Sequence, residues 1–138
     1  MIALVGDLLF GSRVQGDLAA AGHEVLLVAD EPRLREGLAQ VSSGQAQGQG
    51  QGQGQEAPVQ AQVLVMDLTD PDLRGPAILE ALRSAGLLGG VASMGFYSHV
   101  DVAARERAEQ AGFDLVVPRS RMAREGAALV SRLAAGDV

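Results

Sequence analysis

A chain of 138 residues, 47% apolar and only 3% aromatic, is long enough for one domain whose core must be mostly Val, Leu and Ala. A net charge of −6 speaks against a nucleic-acid-binding surface, and the absence of cysteine excludes disulfides, thiolate catalysis and thiolate metal sites. The two histidines, His23 and His99, are too few for a histidine-based metal cluster.

No apolar run approaches the roughly 20 residues that cross a bilayer. The opening MIALVGD reads as a strand rather than a basic leader, so the expectation is a cytoplasmic protein with no membrane attachment. Every basic residue is arginine and none is lysine.

In chain order, IALVGD (2–7) is a short apolar run closed by Gly-Asp and predicts a buried strand. FGSRVQGDLAAAG (10–22) predicts a helix with Phe10, Val14 and Leu18 on one face and Gly22 as its stop. HEVLLVAD (23–30) predicts the second strand. Pro32 then sits where a helix can start, and RLREGLAQV (33–41) is the helix. QVLVMDL (62–68) is the third strand and GPAILEALRSAG (75–86) the third helix. GGVASMGF (89–96) is the fourth strand and VDVAARERAEQAG (100–112) the fourth helix, with one alanine face and one charged face. FDLVVP (113–118) is the fifth strand. RMAREGAALVSRLAAG (121–136) is the last helix, with Met122, Leu129, Val130 and Leu133 as its buried stripe. Strands and helices in strict alternation imply parallel β-α-β units, and continuous apolar strands imply helices on both faces of the sheet. The expected fold is α/β: a flavodoxin-like, doubly wound, five-stranded parallel sheet in the order 2-1-3-4-5, with residues 1–138 as a single domain.

The run SSGQAQGQGQGQGQEAP, residues 42–58, breaks this pattern, because it holds no apolar residue larger than alanine. It is expected to be a flexible low-complexity insertion within the domain. Loop-closure entropy grows slowly with length, so deleting Gly44 to Gln55 is expected to change stability by about 1 kcal/mol or less. Thermal melts of the full and shortened chains check this, and a large loss would mean that the tract packs on the domain.

The carboxylates fall at one edge. Asp7 closes the first strand and Asp67 the third. In the order 2-1-3-4-5 these strands are neighbours, so both acids lie at the carboxyl ends of the strands, where ligands bind in such folds. Asp7, Asp67 and a loop carbonyl such as that of Thr69 would make an oxygen-rich site suited to Mg2+. The alternative is that each aspartate only caps a strand end and accepts hydrogen bonds from loop amides.

With LVGD at the first strand, VLVMDLTDPDLRG at the third strand and its loop, and AGFDLVVP before the last helix, the chain resembles the receiver domain of two-component response regulators, of the single-domain chemotaxis type. The resemblance implies Asp67 as phosphoacceptor, Asp7 with Asp67 and Thr69 as Mg2+ ligands, and a histidine kinase or another signalling protein as partner, with a homodimer also open. It also exposes departures. The family's pair of acids after the first strand reads Gly6-Asp7 here. The hydroxyl residue that ends the family's fourth strand falls on Gly95, with Ser98 three residues on. The family's Lys-Pro after the fifth strand reads Pro118-Arg119, and Leu115 stands near the family's fifth-strand aromatic. Ser98 and Arg119 are therefore the candidate phosphate-binding residues, since arginine can pair with phosphate bidentately. These departures predict a degenerate receiver that acts by protein contacts, with weak Mg2+ binding at most.

GFYSHVD, residues 95–101, contains Ser98, His99 and Asp101, but neighbours in sequence rarely face one another as a triad must. Ser98 reads instead as the cap of the fourth helix, with Asp101 in its first turn, and His99 as a loop residue at the same rim that either contacts an anion or, the favoured reading, bonds to a neighbour. Glycines 6, 11 and 16 lack the dinucleotide spacing, and GDLLFG without lysine is no phosphate-binding P-loop. Three readings stand at this point: a non-catalytic receiver-like module, a phosphorylatable receiver, and an unrelated small-ligand-binding α/β domain.

Overall fold

A computed structural model describes residues 1–44 and 63–135. Five parallel strands, β1 (Ile2–Leu4), β2 (Leu26–Val28), β3 (Val63–Asp67), β4 (Ala92–Tyr97) and β5 (Leu115–Pro118), form one sheet in the order β2-β1-β3-β4-β5. The five helices among the described residues are α1 (Leu8–Ala20), α2 (Glu31–Gly44), α3 (Gly75–Ser84), α4 (Val102–Ala111) and α5 (Arg119–Ala135), with a 3-10 turn at Pro71–Leu73 before α3. The flavodoxin-like topology is the one expected. Of the low-complexity tract, Ser42 to Gly44 belong to the last turn of α2, and the rest of 42–58 lies outside the described residues.

Side chains alternate across each strand and so feed two cores. On one face Ile2, Leu4, Leu64 and Met66 pack with Leu34 and Leu38 of α2 and with Ile78, Leu79 and Leu82 of α3. On the other, Ala3, Val5, Val63, Val65, Met94 and Phe96 meet Phe10, Val14 and Leu18 of α1 and Met122, Leu129, Val130 and Leu133 of α5. The expected apolar stripes of α1 and α5 are thus the buried ones.

Several boundaries differ from expectation for local reasons. The first strand ends at Leu4 rather than at Asp7, because Asp7 has turned to cap α1: its Oδ1 accepts from the amides of Leu9 and Phe10 at 3.0 and 3.2 Å. The fourth strand starts at Ala92, after a turn in which Gly90 has φ +77°, and runs one residue further, to Tyr97. Helix α5 begins at Arg119, directly after β5. Gly112 ends α4 at φ +98°, and its amide bonds back to Ala108 and Glu109.

Polar groups tie the far edge of the sheet. Buried Ser93 donates its amide and hydroxyl to the Asp114 carboxylate at 2.8 and 3.3 Å, and the Asp114 amide donates to Ser93 Oγ at 3.1 Å. The pair is mutually satisfied, which a buried hydroxyl requires.

Arg107 of α4 forks onto Glu80 of α3 at 2.9 and 3.2 Å. The Arg107 hydrogen bond is the main cause holding the Glu80 carboxyl below its ordinary range. Reversing Arg107 to glutamate is therefore expected to lower the melting temperature more than reversing Arg105, whose partner Glu109 sits one turn away on its own helix. Pairing Arg107→Glu with Glu80→Arg should restore the loss, as read by thermal melts of the four variants.

Candidate functional site

The carboxyl edge of the sheet gathers residues from β1, β3, β4 and β5. Asp67 is the last residue of β3, pairs in register with Phe96 of β4, and is only 2% exposed. Strand alternation places Asp67 on the α1–α5 face, the face of Val65, Met94 and Phe96. Its Oδ1 accepts from the Thr69 amide at 2.8 Å and the Thr69 hydroxyl at 2.5 Å. This is an Asx turn reinforced by the threonine hydroxyl, and it fixes the carboxylate's orientation. Among the described residues, Asp67 Oδ2 has no hydrogen-bond donor, so a deeply buried carboxylate keeps one oxygen unpaired. Such an atom calls for a cation or a donor from outside.

Asp7 is different: it is half-exposed and engaged on both oxygens. Oδ1 caps α1, and Oδ2 faces Arg119 Nη2 at 3.4 Å. The Arg119 guanidinium also lies over the Phe10 ring, 4.0 Å from its centroid, and Phe10 packs against Phe96 with centroids 5.2 Å apart and planes tilted by 49°. A continuous stack thus runs from Arg119 through Phe10 to Phe96, the register partner of Asp67.

The Phe10 amide is the chief cause holding the Asp7 carboxyl below its ordinary range; burial opposes it, and the Leu9 amide and Arg119 add to it. A carboxyl depressed on folding contributes stability above its unfolded pKa and loses that contribution as pH falls through the folded value. The melting-temperature gap between the native chain and Asp7→Asn is therefore expected to be open at neutral pH and to close on acidification below the carboxylate range. A gap that stays constant down to pH 2 would contradict this assignment of the Asp7 charge.

The sequence-derived candidates are distributed as follows. Asp67, Thr69, Asp7 and Arg119 stand at this edge. Thr69 acts through its amide and hydroxyl on Asp67, a role visible in the Asp-x-Thr spacing but assigned above only to its carbonyl. Ser98 is the first residue past β4 and half-buried, but it is not the cap of α4. That cap is Asp101, whose Oδ1 accepts from the Ala104 amide at 3.0 Å, while Ser98 supplies only its carbonyl to the Asp101 amide. Gly95 is not the end of the strand either. It lies inside β4 opposite Met66, so the residue directly beyond the strand is Ser98. His99 is exposed and, among the described residues, makes no hydrogen bond, contrary to expectation.

Sequence reasoning missed Asp70 and Phe10. A Cβ built on Gly6 would stand 3.1 Å from Asp70 Oδ2, so the carboxylate of the β3 loop occupies the space that a side chain at position 6 would take. Asp70 Oδ1 accepts from the Asp72 amide at 2.9 Å.

No family model matches the chain, and no curated protein is similar to it. Solved structures are. A phosphorylated cyanobacterial phytochrome response regulator, RcpA, superposes with a TM-score of 0.70 at 14% identity, covering 99% of this chain and 94% of its own. A CheY-like response regulator receiver domain protein from Methanospirillum hungatei gives 0.68 at 16% identity, with 99% and 93% covered. The signal receiver domain of a signal transduction histidine kinase from Syntrophus aciditrophicus gives 0.72 at 15% identity, with 98% and 89% covered. The fold is that of the response regulator receiver domain. Within the receiver fold, Asp67, Asp7, Ser98 and Arg119 occupy the carboxyl edge of the sheet, and no helix among the described residues is long and apolar enough to cross a membrane.

The donor set suits a hard divalent cation in kind: Asp67 Oδ2 is an unpaired buried carboxylate oxygen, and Asp7 and a loop carbonyl are further oxygens. Among the described residues, however, no three acidic or histidine side chains already converge on one point, and Arg119 stands as the cation on Asp7.

Proposed function

We propose that this chain is a receiver-like signalling module of the cytoplasm. It works by contact with another signalling protein or a histidine kinase, and its phosphoacceptor chemistry at Asp67 is weakened. The observation that carries the reading is the state of Asp7: of the family's two acids after the first strand one is Gly6, and the other has both oxygens committed, one to the α1 cap and one to Arg119.

Mg2+, where it binds, supplies neutralisation of the charge that builds on a transferring phosphoryl group. Asp7, the Asp67 carboxylate and the Thr69 carbonyl would hold it, weakly, because Asp7 must first let go of Arg119. The protein's own part is to aim Asp67. Thr69 fixes Oδ1, which leaves Oδ2 as the atom free to attack phosphorus; with acetyl phosphate a new Oδ2–P bond forms as the P–O bond to acetate breaks and acetate departs with the electron pair. Removing one positioned stabilising donor from a charge-transfer site costs on the order of 100-fold in rate. Incubation with acetyl phosphate and Mg2+, read by intact mass beside Asp67→Asn, is expected to show slow or undetectable labelling, and beryllofluoride is expected to elicit no conformational response. Near-stoichiometric gain of one phosphoryl group, absent in the variant, overturns the reading.

A second reading, a phosphorylatable receiver, is favoured by two features: the unpaired Oδ2 of buried Asp67, and a hydroxyl directly past β4 at Ser98. There Ser98 and Arg119 would hold the phosphoryl oxygens, and Arg119→Ala would abolish labelling. For the contact surface, the exposed mixed-charge face of α4 with Arg105, Glu106 and Glu109 is the candidate. Arg105→Glu is the variant that probes it without breaking the α3–α4 fork, and unchanged partner capture or sedimentation counts against this face.

A further inference from the structure

We propose that Arg119 is the resident cation of this site: its guanidinium stands on Asp7 where a divalent ion would otherwise act, and metal enters only by displacing it. The inference deepens the receiver-like reading of this edge and rests on it.

Three observations converge. First, the guanidinium is positioned from two directions. It meets Asp7 Oδ2 at 3.4 Å and sits over the Phe10 ring, 4.0 Å from its centroid. An exposed ion pair alone would be easily exchanged, but a stacked one is held in place by the ring as well. Phe10 is itself 8% exposed and backed by wholly buried Phe96, so the platform under the arginine is rigid.

Second, the register of β5 and α5 provides the reach. Pro118 closes β5 opposite Tyr97, and Arg119 opens α5 with no intervening loop, which carries its side chain across to the start of α1. A residue two positions later, where the helix was expected from sequence, would start a half-turn away.

Third, the charge of the edge needs a cation. Asp67 is buried with one oxygen unpaired, Asp70 lies over Gly6, and Asp7 is the third carboxylate. The glycine at position 6 removes one family acid, and the vacated space is taken by Asp70 from the β3 loop, so the acidity of the edge is rearranged rather than lost. Among the described residues, Arg119 pairs with Asp7 of these three. With it in place the edge tolerates its acids without metal. Without it, Asp7 Oδ2 is released at the sheet edge that also carries the unpaired Asp67 oxygen, and the edge becomes a better divalent site.

The test is a titration of the full chain with Mn2+, read by loss of the free-ion paramagnetic signal, with Mg2+ as competitor. The native chain is expected to bind weakly, in the millimolar range or beyond. Arg119→Ala is expected to bind about tenfold tighter, since the variant no longer loses a stacked ion pair on metal entry. Adding Asp7→Asn to Arg119→Ala should return affinity to the native level. Equal affinity of the native chain and Arg119→Ala overturns the proposal, as does a gain that survives Asp7→Asn. Should Arg119→Ala fail to fold by circular dichroism, Phe10→Leu removes the stack and keeps the arginine. A smaller gain of the same sign supports the proposal there, and no gain overturns it. Phosphoryl labelling does not enter this readout: tight native Mn2+ binding without labelling defeats the resident cation alone, and labelling with the expected Mn2+ pattern defeats only the weakened chemistry.

Discussion

Phe96→Ala lowers stability by about 3–5 kcal/mol, the range for truncating a wholly buried aromatic in a core that cannot collapse around the void. Phe96 has no solvent exposure, sits in the middle of the α1–α5 core, and stacks on Phe10. The aromatic pair adds about 0.5–1.5 kcal/mol beyond the area it buries. Against a total of roughly 5–15 kcal/mol for a domain, this is a large fraction. Urea unfolding should show a lowered midpoint with an unchanged slope, and the melting temperature should fall on the order of 10 °C. Phe96→Leu, which fills most of the volume, should cost less. A loss under about 1 kcal/mol for the alanine variant would mean that helix α1 can settle onto the sheet, and the Phe10 platform under Arg119 would then not be rigid.

Gly95→Thr is the second. It installs a hydroxyl at the position to which the sequence resemblance assigns one, and it is expected to damage the fold rather than mend the site. Strand propensity alone favours the exchange by up to about 1 kcal/mol, because glycine packs nothing and is entropically costly in a strand. Packing goes the other way. A Cβ at Gly95 would stand 2.5 Å from Leu68 Cδ1 and 3.1 Å from its Cγ. Leu68 also packs against Gly75, where a Cβ would be only 2.7 Å from Leu68 Cδ2, so its side chain fills the space beside both glycines. Overpacking of this kind costs about 1–3 kcal/mol and outweighs the propensity gain. Leu68→Ala in the same chain should offset part of the loss, with a coupling of about 1 kcal/mol in a double-mutant cycle. Because Leu68 lies between Asp67 and Thr69, the single variant should also loosen the turn that aims Asp67. A Gly95→Thr chain as stable as the native one would contradict this packing.

The topology was legible because each strand is an unbroken apolar run and each helix carries a stripe at helical spacing; alternation then leaves few arrangements. Strand ends were less so. Whether Asp7 closes β1 or opens α1 depends on a turn at Gly6 that no periodicity marks, and Tyr97 belongs to β4 because it pairs with Pro118, a contact made across the sheet. At the site, the two strand-end aspartates could be found by counting, whereas the stack of Arg119 on Phe10 could not. It follows from how α1 and α5 are rotated on one face, which the cores decide together. Thr69 on Asp67 is a local spacing that sequence does contain. Asp70 over Gly6 joins a loop to a different strand and becomes visible only once β1 and β3 lie side by side.

Tyr97 gives the domain an optical property. The chain has no tryptophan and one tyrosine, so its near-ultraviolet absorbance and circular dichroism report almost entirely on a single ring. That ring is 7% exposed and closes β4 beside Ser98, and it acts on Arg105, whose guanidinium is pushed further up by Glu109 first and by Tyr97 next. Any rearrangement of the β4 end, or of α4 against it, changes the polarity around this one chromophore. The molecule thus carries an unlabelled spectroscopic reporter at the junction between its carboxylate edge and its charged helix.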